Sequence, residues 1–297
     1  MREPPVGVTD AEVLAAVRRQ WDDEIDRVRH LPVGFGAHHW AAYVGDRPRL
    51  FVTLDGLEPK RTAARLEAAY AGAAALHAAG LEFVVPSVPT RAGPMTVPLA
   101  RGALSSTPWH QGRPDGELDV PWTTTVLQRL HEADPPPDLP PWQPRVGRDF
   151  GETTAALTGR PWGPGPFARR ARDAVRHHLD DLAAWTRRYH DLAAVAHGHT
   201  WVATHGEPGS GNQLLTEGGR LLVDWESLKL APRELDLRTL VDAGVDTDAD
   251  PEMLELFDLE WRLDEISEYA AWFAAPHLGT ADDEIALGGL EHELERE

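Results

Sequence analysis

The chain has no cysteine among its 297 residues. That absence excludes disulfides, thiolate metal sites and thiol nucleophiles together. Lysine is almost missing as well: only Lys60 and Lys229 occur, and arginine carries the remaining positive charge. No stretch approaches the ~20 apolar residues that cross a bilayer. The opening MREPPVGVTDAEVL lacks the apolar core of a secretory signal. The expectation is a cytoplasmic protein with no membrane partner. Positive charge is scarce overall, and the formal net charge is -19. Such a surface repels nucleic acid and anionic membranes, and it suits a cationic small molecule. What is present is the composition of a folded chain, with 42% hydrophobic residues and 11 tryptophans to bury.

Periodicity divides the chain. Thr9 and Glu12 form a capping box, after which Val13, Val17, Trp21, Ile25 and Val28 recur at helical spacing. Gly34-Phe35-Gly36 is a turn. Residues 39–44 and 50–54 read as strands about a Gly45-Asp46 turn, with a strand expected before the glycines. An alanine-rich helix is expected over 59–79, and further strands over 82–85 and 96–99. Composition shifts near Pro108. Beyond it helices are expected at 126–131, 168–195 and 252–274, a proline-rich connector at 135–144, and a frayed charged tail at 289–297. The fold class is α+β, with an antiparallel-sheet domain at 1–107 and a mainly helical one at 108–297.

The chemistry concentrates in WVATHGEPGSGNQLLTEGGRLLVDWESLKLAPRELDL, residues 201–237. His205-Gly206-Glu207 places a carboxylate after a glycine, and Asn212 follows five residues later. Two apolar runs flank Glu217-Gly218-Gly219, which signals a hairpin. Closing that hairpin brings Asn212 and Asp224 together, with Glu207 on the adjoining loop. One amide oxygen and two carboxylates suit phosphoryl transfer. Hard oxygen ligands hold Mg²⁺ against nucleotide phosphates, and a carboxylate orients the attacking hydroxyl and takes its proton. His197, His199 and His205 suggest zinc more weakly, because no cysteine supports them.

The ordered set resembles the catalytic and metal loops of aminoglycoside phosphotransferases and of related antibiotic and choline-type kinases. Those enzymes carry His-Gly-Asp, four residues, Asn, a hairpin and a tripeptide close to Asp-x-Asp. Leu130-His131 and Pro232 to Asp236 resemble further family features, and the resemblance runs from about residue 30 to about 275. It implies a two-lobed, protein-kinase-like fold with a small antiparallel-sheet N-lobe and a larger, mainly helical C-lobe. It implies ATP or GTP and Mg²⁺ as cofactors. Glu207 takes the catalytic position, with His205 beside it. Asn212, Asp224 and Glu226 take the metal positions, and Asp236 braces the loop. Gly34, Phe35 and Gly36 cover the phosphates. Phe51-Val52-Thr53 is the strand of the nucleotide-binding lysine, here Thr53. Adenine lies against 104–108, where Ser106 is the candidate contact. The implied reaction moves a γ-phosphoryl group to a hydroxyl of a small polar acceptor such as an aminoglycoside, by a monomer or homodimer. Glu207 in place of Asp, and Thr53 in place of Lys, are the departures. They motivate the competing expectation of a nucleotide-binding pseudokinase.

Overall fold

The computed structural model describes residues 3–34, 36–57, 61–100, 102–114 and 116–296. Phe35 and Lys60 lie outside the described residues. Two compact units emerge: Met1–Trp142 with Trp201–Thr247, and Gln143–Thr200 with Asp248–Glu297.

The first unit opens with α1 (Asp10–Gln20), closed at its start by the reciprocal Thr9–Glu12 capping box. The helix is shorter than its periodicity predicts. Asp22 accepts the Glu24 N–H at 3.0 Å, a local turn that ends helical bonding. Ile25 still buries, and Val28 belongs to β1 (Arg27–Leu31), the strand expected before the glycines. There follow β2 (Ala37–Val44), β3 (Arg47–Gly56), α2 (Ala63–Ala78), β4 (Val97–Leu99) and β5 (Gly102–Pro108). The five strands form one antiparallel sheet in the order β1-β2-β3-β5-β4. Residues 82–85 form no strand. Phe83 and Val85 hydrogen-bond Leu222 across a single bridge at Val84, and Pro86, lacking an N–H, cannot extend it.

Directly paired residues share a sheet face. Trp40, Ala42, Leu50, Val52, Leu54 and Leu104 pack with Val13, Ala16 and Val17 of α1 into the core of one face. The opposite face carries His39, Ala41, Phe51, Thr53, Asp55, Ala103 and Ser105 by register. There α2 packs Leu66 and Tyr70 against Ala103.

The chain continues through β6 (Gly112–Pro114) and α3 (Val120–Glu132), then enters the second unit with α4 (Phe150–Thr158), α5 (Ala168–His177) and α6 (Leu179–Ala196). The helix expected over 168–195 is therefore two helices, interrupted where His178 leaves helical geometry at ψ 18°. Returning to the first unit, β7 (Trp201–Thr204), β8 (Gln213–Thr216), β9 (Gly219–Leu222) and β10 (Lys229–Pro232) precede α7 (Glu234–Asp242). The second unit closes with α8 (Pro251–Ala274) and α9 (Ala281–Glu295). The tail is thus helical. Thr280 and Asp283 cap α9, and Leu290 and Leu294 within the charged segment are buried. In this unit the buried Tyr189 hydroxyl donates to Glu260 at 2.5 Å and accepts the Arg145 N–H at 3.0 Å.

Candidate active site

The predicted hairpin forms, with Gln213 opposite Leu222 and Thr216 opposite Gly219. Its two-residue loop is Glu217-Gly218, and Gly219 takes φ +120°, which a side chain resists. At the open end, away from the turn, the Val223 N–H donates to the Asn212 carbonyl at 2.9 Å. Asn212 and Asp224 are therefore neighbours, as the sequence requires.

The loop between β7 and β8 hangs on Asp236. This fully buried carboxylate accepts the His205 N–H at 3.0 Å, the Gly206 N–H at 2.7 Å and, through Oδ2, His131 Nε2 at 3.0 Å. Burial pushes its pKa up, yet the His131 contact and the loop N–H groups win and hold it below the usual carboxylate value. Gly206 has φ +97°. A Cβ there would meet Ser227 Cβ at 3.1 Å and Lys229 Nζ at 3.3 Å, so only glycine lets the chain pass. Lys229, the one lysine among the described residues, thus lies beside this loop.

His205 is buried, and its tautomer follows from its partners. The Val223 carbonyl, 2.9 Å from Nε2, can only accept, and the Glu207 N–H, 3.2 Å from Nδ1, can only donate. The ring is neutral with its proton on Nε2, and burial holds its pKa low against the pull of Asp236. Asn212 Nδ2 donates to the Glu207 carbonyl at 2.9 Å. Glu207 is therefore fixed at both its amide and its carbonyl, while its carboxylate carries no such restraint. Asn212 spends its donor on the loop, so its oxygen is the end available to a cation.

Asp224 stands at φ +70°, a left-handed conformation that costs a non-glycine residue roughly 1–2 kcal/mol. Two residues on, Glu226 Oε2 is buried with no hydrogen-bond partner among the described residues. Burial, and then the adjacent Asp224 carboxylate, push the Glu226 pKa well above its usual range. Two carboxylates forced together around an unsatisfied oxygen fit a divalent cation. Among the described residues no three His, Asp or Glu side chains converge into a complete ligand set. Mg²⁺ takes one or two carboxylates and completes its octahedron with phosphate and water, so Asp224, Glu226 and the Asn212 oxygen could hold it.

The sheet face opposite α1 turns polar where it meets this region. Thr53 lies opposite His39 on one side and Ser105 on the other. His39 Nδ1 is 3.2 Å from Thr53 Oγ1, and the ring lies 5.0 Å from that of Phe51. Gly34 and Gly36 take φ +71° and +87°, and a Cβ on Gly34 would meet His39 Nε2 at 3.0 Å. Burial lowers the His39 pKa to about 4, against the pull of the Asp224 charge. Ser106 pairs with Val52 and so belongs to the α1 face, where its hydroxyl donates to the Phe51 carbonyl at 3.4 Å. Its side chain is turned away from the face that carries Thr53. Ser105 shares that face instead.

Asp55, also on this face, was missed by the sequence reading. It accepts the Tyr70 hydroxyl at 2.8 Å, and burial raises its pKa to about 6 despite that bond. A carboxyl whose value rises on folding binds more protons folded than unfolded. Its contribution is therefore most favourable below about pH 4, and stability falls as pH climbs through 6. At about 1.4 kcal/mol per pH unit between the two values, ionisation costs the fold up to roughly 3 kcal/mol. Asp55→Asn, which can still accept from Tyr70, is expected to melt several degrees above wild type at pH 8 and level with it at pH 4. Equal melting at pH 8 would remove this account.

Comparison with known proteins decides the family. The model of the Phosphotransferase enzyme family matches residues 27–272. The chain belongs to that family. It is a small-molecule kinase. Protein StrN of Streptomyces griseus is 29% identical over 233 residues, covering 73% of each chain. Among solved structures, the spectinomycin phosphotransferase APH(9)-Ia in complex with ADP and spectinomycin superposes with a TM-score of 0.73 at 13% identity. The match spans 96% of this chain and 94% of that one. A gentamicin complex of APH(2")-IIa matches with a TM-score of 0.57 at 12% identity, covering 98% of this chain and 97% of that one. These likenesses establish the protein-kinase-like α+β fold. Among the described residues no helix is long and apolar enough to cross a membrane.

Proposed function

We propose that this phosphotransferase moves the γ-phosphoryl group of ATP or GTP to a hydroxyl of a small, polar, cationic antibiotic, with Mg²⁺ as the metal. The observation that carries this is the clamped backbone of Glu207, tied to His205 at its amide and to Asn212 at its carbonyl. That clamp aims one carboxylate while leaving it free to work. Glu207 accepts the proton of the acceptor hydroxyl as the oxygen bonds to the γ-phosphorus and the bond to the leaving diphosphate breaks. His205 and Asp236 are positioning residues, their hydrogen-bonding atoms engaged in holding the loop. Asn212, Asp224 and Glu226 would hold the metal, which when bound draws negative charge off the phosphates. Gly34, Gly36 and Thr53 lie toward the phosphates.

The relatives support the acceptor class. Spectinomycin, gentamicin and amicoumacin are named with three of the solved neighbours, nucleotides accompany two of those, and choline and ethanolamine kinases are neighbours as well. A net charge of -19 suits a polyamine-like acceptor. We place the enzyme in the cytoplasm as a monomer or homodimer, with the nucleotide-covering part at 1–107 and the metal and acceptor sites at 108–297. The test is incubation with Mg·ATP or Mg·GTP and a panel of aminoglycosides, aminocyclitols, choline and ethanolamine, read by mass spectrometry. A gain of one phosphoryl group on an amino-sugar antibiotic is expected. A gain on choline or ethanolamine alone would replace the acceptor class. No gain on any compound, with nucleotide still bound, would overturn the reaction.

A further inference from the structure

The family pattern puts a phosphate-binding lysine where this chain has Thr53, and a threonine hydroxyl brings no charge and little reach. The structure supplies a second group at that position. His39 stands directly across the ladder from Thr53, and its Nδ1 is hydrogen-bonded to the Thr53 hydroxyl at 3.2 Å. The far nitrogen, Nε2, lies 3.0 Å from the point where a side chain on Gly34 would begin. The ring edge therefore lies against the glycine turn, on the face that carries Thr53 and Ser105. The Phe51 ring sits 5.0 Å from it and restricts its swing.

We infer that His39, steadied by Thr53, makes the nucleotide-phosphate contact that the missing lysine would make. This rests on the nucleotide-binding reading above. When the Thr53 hydroxyl donates to Nδ1, the ring carries its proton on Nε2, and Nε2–H donates to a phosphate oxygen. Thr53 then steadies the ring through Nδ1, and Nε2 is left to meet the phosphate.

The test separates phosphate binding from everything else a buried ring does. Dissociation constants for Mg·ATP (or Mg·GTP, whichever binds) and for the parent nucleoside are measured by calorimetry in wild type, His39→Ala, His39→Gln and Thr53→Val. His39→Ala is expected to weaken the triphosphate roughly ten- to hundredfold, the range for one hydrogen bond to a charged group, and to leave the nucleoside within about twofold. Thr53→Val should act in the same direction and less. The double variant His39→Ala with Thr53→Lys should recover most of the triphosphate affinity. Equal weakening of triphosphate and nucleoside would mean a structural role, and an unchanged triphosphate constant would mean no contact. Either overturns the inference. If His39→Ala fails to fold, Thr53→Val carries the same comparison, while His39→Gln, whose amide can still donate, should keep much of the triphosphate affinity. A wild-type protein that binds no nucleotide would instead sink the kinase reading itself.

Discussion

Glu207→Gln is expected to lower kcat by roughly 10²–10⁴-fold, the usual contribution of a positioned general base, while Mg·nucleotide affinity stays within about twofold. The substitution keeps the shape of the side chain and removes the lone pair that receives the proton. Because the Glu207 amide and carbonyl are both tied down, the loop has no reason to move when the side chain changes. The effect should therefore fall on kcat and not on binding. Glu207→Asp tests the departure from the family pattern. With the backbone fixed, a shorter side chain withdraws the carboxylate by about 1.5 Å, one carbon–carbon bond. Misplacement of that size costs on the order of 10²-fold, so aspartate should be impaired here although it is the family's residue. Single-turnover rates check both. Full turnover by Glu207→Gln would remove Glu207 from the chemistry and favour a base elsewhere.

Much of this site was legible because its parts are local. The spacing from Glu207 to Asn212, the glycine turn and the run to Asp224 lie within one stretch of chain, and hairpin closure follows from turn chemistry. The same holds for the Thr9–Glu12 box, whose two bonds span three residues. The helix end at Gln20 was not legible, because Val28 fits a helical period and a sheet edge equally well and the sheet decided. His39 shows the harder limit. Counting back from the Gly45-Asp46 turn, an unbroken ladder would set His38 opposite Thr53. The register shifts between Ala42 and Tyr43, where Pro48 pairs with Tyr43 and Leu50 with Ala42, leaving Arg49 as the extra residue. That bulge moves every later pair by one and exchanges the two histidines between faces. Ser106 and Ser105 take their faces from the next ladder, where they pair with Val52 and Thr53. Asp55 was hidden for a related reason, since its partner Tyr70 arrives from a helix whose rotation no local pattern specifies.

Asp236→Asn is expected to cost roughly 1–3 kcal/mol of stability at pH 7, seen as a melting temperature lower by roughly 5 °C, and to slow turnover in parallel. The carboxylate meets three partners, two through Oδ2 and one through Oδ1. An asparagine amide accepts at only one end. Whichever way it turns, its NH₂ faces at least one loop N–H, and a buried donor is stranded. The stranded group belongs to His205 or Gly206, so the fault is delivered to the backbone that carries Glu207. The sign of the pH dependence follows from the lowered pKa of Asp236. A carboxyl held below its unfolded value stabilises the fold above that value, and the benefit fades as pH falls through the folded one. The gap in melting temperature between wild type and Asp236→Asn should be full at pH 7 and should narrow only below about pH 4. His131→Gln, which can still donate to Oδ2 but on a more flexible side chain, should reproduce a smaller part of the gap. A variant at position 236 with wild-type melting and wild-type turnover would show that the loop is held by something other than this carboxylate.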